Sequence, residues 1–313
     1  MNALFKLLNN RIKAKQSSSD QMLLNTFFAE HYYPHALLTK RRPHYDLHIY
    51  NKHIRDSLGS KSFKALTHAV LDQWVREHIV KQYKPGTINK HIFLVNRLIN
   101  LAKHWGIVDV NHFDTRSIKR LSMGDYTQYF LTEDEVHAVL IACQRDQHPF
   151  LYLFAKLLLL TGARKGEARL AQWRDINMGT RMWTVPVSKN GRSRRIVLSS
   201  SAVEVLKAIR TQSERLYLPT ARSDYLFINP KTQLPYHSFY CAWERARQRA
   251  ELPHVRIHDL RHSFASFLIN KGASIYEVQT LLGHHHVSMT ERYAHLMPNT
   301  LQDRVDIIAQ IVR

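Results

Sequence analysis

One tyrosine near the end of the chain lies among histidines and basic residues, and its surroundings raise a chemical question. Tyr293 stands in the stretch MTERYAH (289–295), shortly after LGHHH (282–286). A phenol has an ordinary pKa of about 10, so at neutral pH it becomes a nucleophile only beside a proton acceptor or a positive charge. Three interpretations compete: a nucleophile among phosphate-binding partners, a core tyrosine on an amphipathic helix, and a metal-binding histidine tract.

Other motifs along the chain contain side chains that could hold a phosphate, move a proton or orient a neighbour. Guanidinium groups are permanently charged, planar donors that bind two phosphate oxygens at once, whereas imidazole and amine groups exchange protons. The spacing of HDLRH also places its first histidine and its arginine on one helical face. The residues are Arg164 and Glu167 in TGARKGEARL (161–170), Lys189 in SKNGRSRR (188–195), and His258 and Arg261 in HDLRH (258–262).

The chain carries a large excess of positive charge, which narrows the class of partner. Lys and Arg number 45 against 25 Asp and Glu, a formal net charge of +20 before any of the 20 histidines is protonated. Such an excess favours a polyanion, and nucleic acid is a commoner partner than an anionic membrane.

The apolar segments predict core helices rather than targeting or membrane segments. The longest apolar run, FLYLFAKLLLL (150–160), is interrupted by Lys156 and is shorter than the roughly 20 residues that span a bilayer. We therefore expect a buried helix there. The first residues lack the features of a secretory signal, so we expect a cytoplasmic, nucleoid-associated protein with no membrane partner.

In type and in order, these motifs resemble the catalytic domain of the tyrosine recombinases, the phage integrase family of site-specific DNA recombinases. The resemblance runs from about Thr132 to His295 and is carried by TGARKGE, the lysine of SKNGRSRR, HDLRH and LGHHHVSMTERYAH. Earlier residues resemble the family's helical core-binding domain more loosely, chiefly in GTINKHIFLVNRLINLAKHWG. Each active-site position of the family pattern is occupied, which predicts an active enzyme.

The resemblance implies a role for each side chain in cleavage of a phosphodiester. Arg164 and Arg261 would clamp the scissile phosphate, and Tyr293 would attack it to form a 3′-phosphotyrosyl link. His258 would accept the phenol proton, and Lys189 would protonate the departing 5′-oxygen.

Two further residues and a set of partners follow from the same resemblance. His284 would donate a hydrogen bond to the phosphate, and Glu167 would orient its neighbours. Because the covalent intermediate retains the energy of the broken ester, a 5′-hydroxyl can reverse the step without ATP, metal or cofactor. The expected partner is double-stranded DNA with inverted repeats, bound on paired sites by a homo-tetramer that forms from monomers or dimers. DNA-bending accessory proteins are further candidates.

The order of elements predicts a mainly α fold with a small antiparallel β-sheet in two domains. By resemblance, a helical core-binding domain and a tyrosine-recombinase catalytic domain would form a C-shaped clamp on DNA. The predicted segments are a polar leader (1–20), a helical core-type DNA-binding domain (21–110), a linker (111–130), the catalytic domain (131–296) and a C-terminal helical tail (297–313).

Local signals predict the elements that position the site. Thr87 follows a Pro-Gly break and is expected to cap a helix that ends at Gly106, while Thr132 and Glu135 form a capping box. The alternating segment RMWTVPVSKNGRSRRIVLS (181–199) predicts two strands joined at its Asn-Gly turn. The remainder of the second domain, including MTERYAH, is predicted to be helical.

Basic residues outside the catalytic set are candidates for DNA contact. Lys90 and Arg97 lie on the predicted polar face of the helix before Gly106, and Arg192 follows the hairpin turn. Arg194 and Arg195 are assigned only to phosphate contact or to solvent. A solvated surface is the alternative for each of them. The full polar face of the helix consists of Lys90, His91, Asn96, Arg97 and Lys103.

Competing functions remain open at this point. A non-catalytic DNA-binding regulator, a metal-dependent nuclease and a type IB topoisomerase could each account for part of the pattern. Within the recombinases, an integrase or excisionase of a mobile element is favoured over a chromosome or plasmid dimer resolvase or a DNA invertase. The reason is that the first domain lacks the close match expected of a dimer resolvase.

Overall fold

The computed structural model of the protein describes residues 21–107, 120–123, 129–186, 193–284 and 286–296. The chain divides into two compact units, Met1–Tyr126 and Thr127–Arg313, so the division falls within the segment predicted as a linker. The predicted leader, the predicted tail and most of the predicted linker lie outside the described residues. No helix in the described ranges is long and apolar enough to cross a membrane.

The N-terminal unit consists of helices around a core rich in aromatic side chains. The Phe28 and Tyr50 rings stack with their centroids 3.6 Å apart, and Tyr32 donates a 2.6 Å hydrogen bond to Asp46. These contacts join the first part of the unit to its third helix. The elements are α1 (Leu24–Phe27), a π-helical turn (Phe28–Tyr32), α2 (Tyr33–Thr39), α3 (Pro43–His53), α4 (Arg55–Leu58), a 3-10 turn (Phe63–Ala65), α5 (His68–Val80) and α6 (Pro85–His104).

Helix α6 is the helix predicted before Gly106, but it begins earlier than the sequence suggested. Pro85 is its first residue and Lys84 its cap, so Thr87 lies inside the first turn and its predicted capping role is wrong. Proline suits this position because an N–H there would have no partner within the helix. Gly106, at φ +64°, follows the helix as predicted. The predicted apolar face is buried and consists of Ile88, Ile92, Val95, Ile99 and Ala102.

The face of α6 that was predicted to be polar is only partly exposed. Lys90 is exposed, whereas His91 is 2% exposed, so the assignment of His91 to a solvated face is wrong. Arg97 is half-buried, and its positive charge lies close enough to the Tyr32 phenol to lower that group's pKa, against the larger effect of burial. Of the two DNA contacts predicted in this unit, Lys90 has an exposed side chain, while Arg97 is half-buried.

The second unit combines helices with one small sheet. Its predicted capping box is confirmed: the backbone N–H of Thr132 donates to Glu135 at 2.8 Å, and the backbone N–H of Glu135 donates to the Thr132 hydroxyl at 3.2 Å. The helices are α7 (Glu133–Gln144), α8 (Leu151–Thr161), α9 (Lys165–Arg169), α10 (Ser200–Arg215), α11 (Tyr240–Arg249), α12 (Asp259–Asn270) and α13 (Ile275–Leu282), with 3-10 turns at Trp173–Asp175, Val287–Met289 and Glu291–Leu296.

The sheet contains the two strands predicted on either side of the Asn-Gly turn. Strands β1 (Ile176–Asn177), β2 (Met182–Val185) and β3 (Arg194–Val197) pair antiparallel in the order β1-β2-β3. In the register of β2 and β3, Trp183 pairs with Ile196, and both are buried in the core. The turn itself, with Lys189 and Arg192, lies outside the described residues.

Helix α8 is the buried helix that the apolar run predicts, and a glycine ends it. Gly162 follows the helix in the left-handed conformation, at φ +59°. A Cβ at this position would lie 2.5 Å from the ring of Phe264 in α12. Glycine therefore allows both the turn and the close approach of α12. The most deeply buried apolar side chains of α8 are Leu151, Phe154, Ala155, Leu157 and Leu158.

The MTERYAH segment forms 3-10 turns rather than the expected α-helix. Gly283, at φ +62°, ends α13 just before it. Thr290 then separates the two turns, and its hydroxyl lies 2.8 Å from His284 Nδ1. A 3-10 helix has poorer hydrogen-bond geometry than an α-helix and is used in short pieces.

We predict that Gly162→Ala destabilises the protein by about 2 to 3 kcal/mol, because alanine is strained at this φ and its Cβ meets Phe264. Chemical denaturation of the two proteins measures the difference. Gly166→Ala is the matched control, since no heavy atom lies within 4 Å of a Cβ built there. We expect that control to be neutral or slightly stabilising, and equal losses in both variants would contradict the argument.

Candidate active site

Arg261 lies in the first turn of α12 and joins the ends of two other helices. Its Nη1 donates to the carbonyl of Gly162 at 2.6 Å, and its Nη2 donates to the carbonyl of Leu282 at 2.7 Å. These carbonyls are at the C-terminal ends of α8 and α13, where a helix has partial negative charge. Arg261 is only 3% exposed, so the two helix ends supply polar contacts that water would otherwise provide.

Burial and neighbouring positive charge make Arg261 easier to deprotonate, yet it stays charged at neutral pH. Its pKa is lowered to about 9, first by burial and then by the positive charges of Arg164 and Arg194. Glu167 acts in the opposite direction. Three guanidinium groups are therefore within electrostatic range of one another, with one carboxylate among them.

Glu167 in α9 holds two of these arginines. Its carboxylate accepts hydrogen bonds from Arg164 Nη1 at 2.8 Å, from the Arg164 backbone N–H at 2.9 Å and from Arg194 Nη2 at 2.7 Å. Burial by itself would raise the pKa of Glu167, but the bonds and charges of Arg194 and Arg164 outweigh it and lower the pKa to about 2. The carboxylate is therefore ionised at any pH near neutrality.

Arg194 is a member of the site that sequence analysis missed. Its side chain is only 9% exposed, and besides Glu167 it donates to the Leu281 carbonyl at 3.2 Å, so its assignment to solvent is wrong. A Cβ at Gly283 would lie 2.6 Å from Arg194 Cδ, so this glycine leaves room for the arginine. The signal was present in β3. Arg194 lies two residues before the buried Ile196, so the two side chains are on the same face of the strand.

Tyr293 lies in a small apolar core, where its hydroxyl hydrogen bonds to a histidine. The distance from Tyr293 Oη to His262 Nδ1 is 2.7 Å, and the two residues are 1% and 6% exposed. Burial raises the pKa of Tyr293, while the positive charges of Arg261 and Arg292 lower it. The apolar side chains around it belong to Ala265, Ile269, Val278 and Leu282.

His262 is a second residue that sequence analysis passed over, although it is the last residue of HDLRH. Its pKa is lowered to about 4 by burial and by the neighbouring His258, so it is neutral at pH 7 and has a lone pair for a hydrogen bond. The ring of His258 packs edge-on against it, with centroids 4.9 Å apart. The phenol of Tyr293 is thus paired with His262, and His258 contacts the ring of His262.

His284 and His258 flank the arginines. His284 is half-buried beside Thr290, and burial together with Arg261 and Arg164 lowers its pKa to about 3. His258 has an exposed side chain at the start of α12. Partial desolvation of its ring by the groups packed around it, and then the charge of Arg261, lower its pKa to about 4.

Six of the seven predicted site residues are thus brought together in one place, and the seventh lies outside the described residues. The order of the chain does not determine this arrangement, since the residues come from α8–α9, α12, α13 and the turns after it. The residues brought together are Arg164, Glu167, His258, Arg261, His284 and Tyr293, and the one outside is Lys189.

Comparison with known proteins places the chain in a family. A model of the phage integrase family matches residues 129–300, more than half of the chain. The chain belongs to this family: it contains the catalytic domain of a tyrosine recombinase, an enzyme that breaks and rejoins DNA.

Relatives of the chain include integrases of bacterial and phage origin. The ICEBs1 integrase of Bacillus subtilis strain 168 is 25% identical over 280 residues, which cover 83% of this chain and 75% of that relative. The integrase of Escherichia phage 186 is 28% identical over 236 residues, which cover 75% of this chain and 64% of that relative. The matched part is therefore less than two thirds of the phage protein.

Solved structures share the fold of both units. The Tn1549 transposon integrase in complex with transposon right end DNA has a TM-score of 0.72 at 16% identity, covering 93% of this chain and all of that one. A lambda integrase dimer bound to a COC′ core site has a TM-score of 0.69 at 19% identity, covering 90% and 80%. The fold class predicted from the sequence, mainly helical with a small antiparallel sheet, is confirmed.

We predict that Glu167→Gln lowers the free energy of unfolding at pH 7 by about 2 to 3 kcal/mol. The folded-state pKa of about 2 lies below the ordinary value of 4.5, so the stabilisation is present above pH 4.5 and is lost as pH falls towards 2. Denaturant unfolding of both proteins at pH 7 and at pH 3 should show the difference narrowing with acid. Glu204→Gln, which breaks an exposed pair with Lys207, is the control and should change little at either pH. A constant difference between wild type and Glu167→Gln across the pH range would contradict the prediction.

Proposed function

We propose that this chain is the site-specific recombinase of a mobile element and that it cuts and rejoins DNA through a 3′-phosphotyrosyl intermediate. The observation that carries the proposal is the hydrogen bond between the Tyr293 hydroxyl and His262 Nδ1, beside the positive charge of Arg261. The names of two relatives, ICEBs1 integrase and the integrase of Escherichia phage 186, support the mobile-element assignment. A DNA invertase of the same family is the second candidate, since a shufflon-specific DNA recombinase of Escherichia coli is 27% identical.

The arginines would bind the scissile phosphate. Arg261 directs one N–H of each terminal nitrogen to a main-chain carbonyl, which fixes the plane of its guanidinium and leaves its other N–H groups for a ligand. The Arg164 side chain is 22% exposed while Glu167 anchors it, so it can meet a phosphate that arrives from solvent. Donors held in this way stabilise the charge of a pentavalent transition state without having to reorient.

The proton of the phenol would pass to His262. Tyr293 Oη attacks phosphorus, the bond from phosphorus to the 5′-oxygen breaks, and the departing oxygen takes a proton from Lys189. Of the two nearby histidines, His262 is the one whose ring nitrogen hydrogen bonds to the phenol in the described part of the chain, at 2.7 Å. A bound phosphate adds negative charge beside the arginines, which raises the pKa of His262 and makes it a better acceptor. His258 would then act through the ring of His262 rather than on the phenol.

Tyr293 has to move before it reaches phosphorus. A side chain that is 1% exposed offers no surface to a DNA backbone, so the turn Glu291–Leu296 would shift when DNA binds. A short 3-10 turn rearranges more easily than a long α-helix, because fewer and weaker hydrogen bonds are broken. In this proposal Tyr293 is buried in the core when no DNA is bound and becomes exposed when the protein binds its target site.

The proposed partner is double-stranded DNA with inverted repeats, bound by a homo-tetramer on two paired sites. Two rounds of strand exchange through a Holliday junction require four nucleophiles, one from each subunit. The net charge of +20 and the exposed Lys90 support binding along the phosphate backbone. We also propose Arg192 as a DNA contact and DNA-bending proteins as accessory partners.

A nicked suicide substrate tests the nucleophile. With a nick beside the crossover, the short strand diffuses away after cleavage, so covalent protein accumulates. We expect a covalent protein–DNA band with wild type and its complete loss in Tyr293→Phe, which keeps the ring and removes only the hydroxyl. Gel-shift binding should persist in that variant as the control. Covalent product formed by the Phe variant would refute the assignment.

A second experiment separates the acceptor of the phenol proton from the donor to the leaving group. We expect His262→Ala to slow cleavage roughly 100- to 10,000-fold, the usual range for loss of an acid–base group. A substrate with sulfur in place of the 5′-bridging oxygen needs no proton on its leaving group, because a thiolate is a far weaker base than an alkoxide. That substrate should restore Lys189→Ala but not His262→Ala.

His258→Ala is the matched control for His262→Ala, because His258 is the alternative acceptor of the phenol proton. If the phenol proton went to His258, His258→Ala would be the slower variant and His262→Ala would cleave nearly as fast as wild type. That result would overturn the assignment of the acceptor while leaving the nucleophile in place.

A further inference from the structure

Three histidines from three helices meet inside the N-terminal unit, away from the candidate active site. His53 is the last residue of α3, His78 lies near the end of α5, and His91 lies in the second turn of α6. Each offers a ring nitrogen, and the three nitrogens lie within 4.8 Å of one another. His78 and His91 are 4% and 2% exposed, and His53 is half-buried.

The hydrogen bonds of two of these histidines favour a ligand between them. His78 Nδ1 lies 2.8 Å from the Trp74 carbonyl and therefore donates to it, so its Nε2 carries a lone pair. A bond of this kind to a main-chain carbonyl is the usual support of a metal-binding histidine. His91 Nδ1 is buried and has no hydrogen-bond partner among the described residues. Packing alone leaves that nitrogen unexplained, since buried polar atoms are normally paired.

The ring positions match the size of a tetrahedral metal site. Three imidazoles on one Zn²⁺, with Zn–N bonds of about 2.0 Å, have ring centroids about 5 Å apart. The centroid distances are 4.1 Å for His53–His91, 5.3 Å for His78–His91 and 6.0 Å for His53–His78. His53 and His91 stack at 23°, so one ring must rotate to aim its lone pair at the metal, and the half-buried His53 has room to do so.

We propose that the N-terminal unit binds one zinc ion, or another divalent ion of similar preference for imidazole, through His53, His78 and His91, with water as the fourth ligand. Burial lowers the pKa of each of the three histidines, so neutral rings are available at pH 7. The ion would link the ends of α3 and α5 to α6 and so stabilise the helical unit. The sequence analysis predicted no metal. His53, His78 and His91 are far apart in the chain and form no spacing motif that would have indicated this site.

Zinc titration of the full-length chain tests the site. The protein is stripped with EDTA, dialysed, and titrated with ZnCl₂ in competition with a chromophoric chelator. We expect one tight equivalent in wild type and at least a tenfold weaker affinity in His53→Ala. Zinc should raise the Tm of wild type and leave the Tm of the variant nearly unchanged. Co²⁺ in place of zinc should give the visible absorption of tetrahedral cobalt in wild type alone.

Two further variants keep this test decisive. His48→Ala removes an exposed histidine from the same helix and should bind zinc like wild type. His53→Gln retains a polar side chain if the alanine variant folds poorly, and it should also lose the tight equivalent. Equal affinities of wild type and His53→Gln, or zinc binding without a rise in Tm, would overturn the proposal. Metal affinity is read separately from DNA cleavage, so this outcome is independent of the proposed recombinase activity.

Discussion

Arg261 directs both terminal nitrogens of its guanidinium to main-chain carbonyls, at 2.6 Å and 2.7 Å, and this pair of bonds organises the second unit. A buried cation is costly unless polar groups surround it, and the C-terminal ends of α8 and α13 provide such groups with partial negative charge. The three helix ends are therefore held together by the residue proposed to bind the phosphate. Stability and site geometry depend on the same contacts.

Glu167 balances the charge that this arrangement concentrates. Without a carboxylate, the guanidinium groups of Arg164, Arg194 and Arg261 would repel one another at short range. Glu167 bonds directly to Arg164 and Arg194 and leaves Arg261 to the helix ends. Arg164 therefore keeps exposed surface for a ligand and Arg261 keeps N–H groups for one, while Arg194 holds the framework. The excess of positive charge that remains suits an anionic substrate.

Tyr293 combines two of the interpretations that its sequence left open. It packs in an apolar core at 1% exposure, and its hydroxyl is bound to His262, next to the charge of Arg261. A buried phenol with a neutral partner has a raised pKa and is unreactive until its surroundings change. A core position is thus compatible with a nucleophile that is held inactive when no DNA is bound.

The sequence by itself determined what could be predicted from local pattern and motif order. It predicted the capping box at Thr132, the buried helix α8, strands β2 and β3, and the types of the candidate catalytic side chains. Short-range signals sufficed there because caps, turns and periodicity act within a few residues. Tertiary structure alone decided that Arg194 turns inward to Glu167, that His262 rather than His258 contacts the phenol, and that His91 is buried beside His53 and His78. These contacts join residues far apart in the chain, and no local pattern specifies which of two neighbouring histidines or arginines faces the interior.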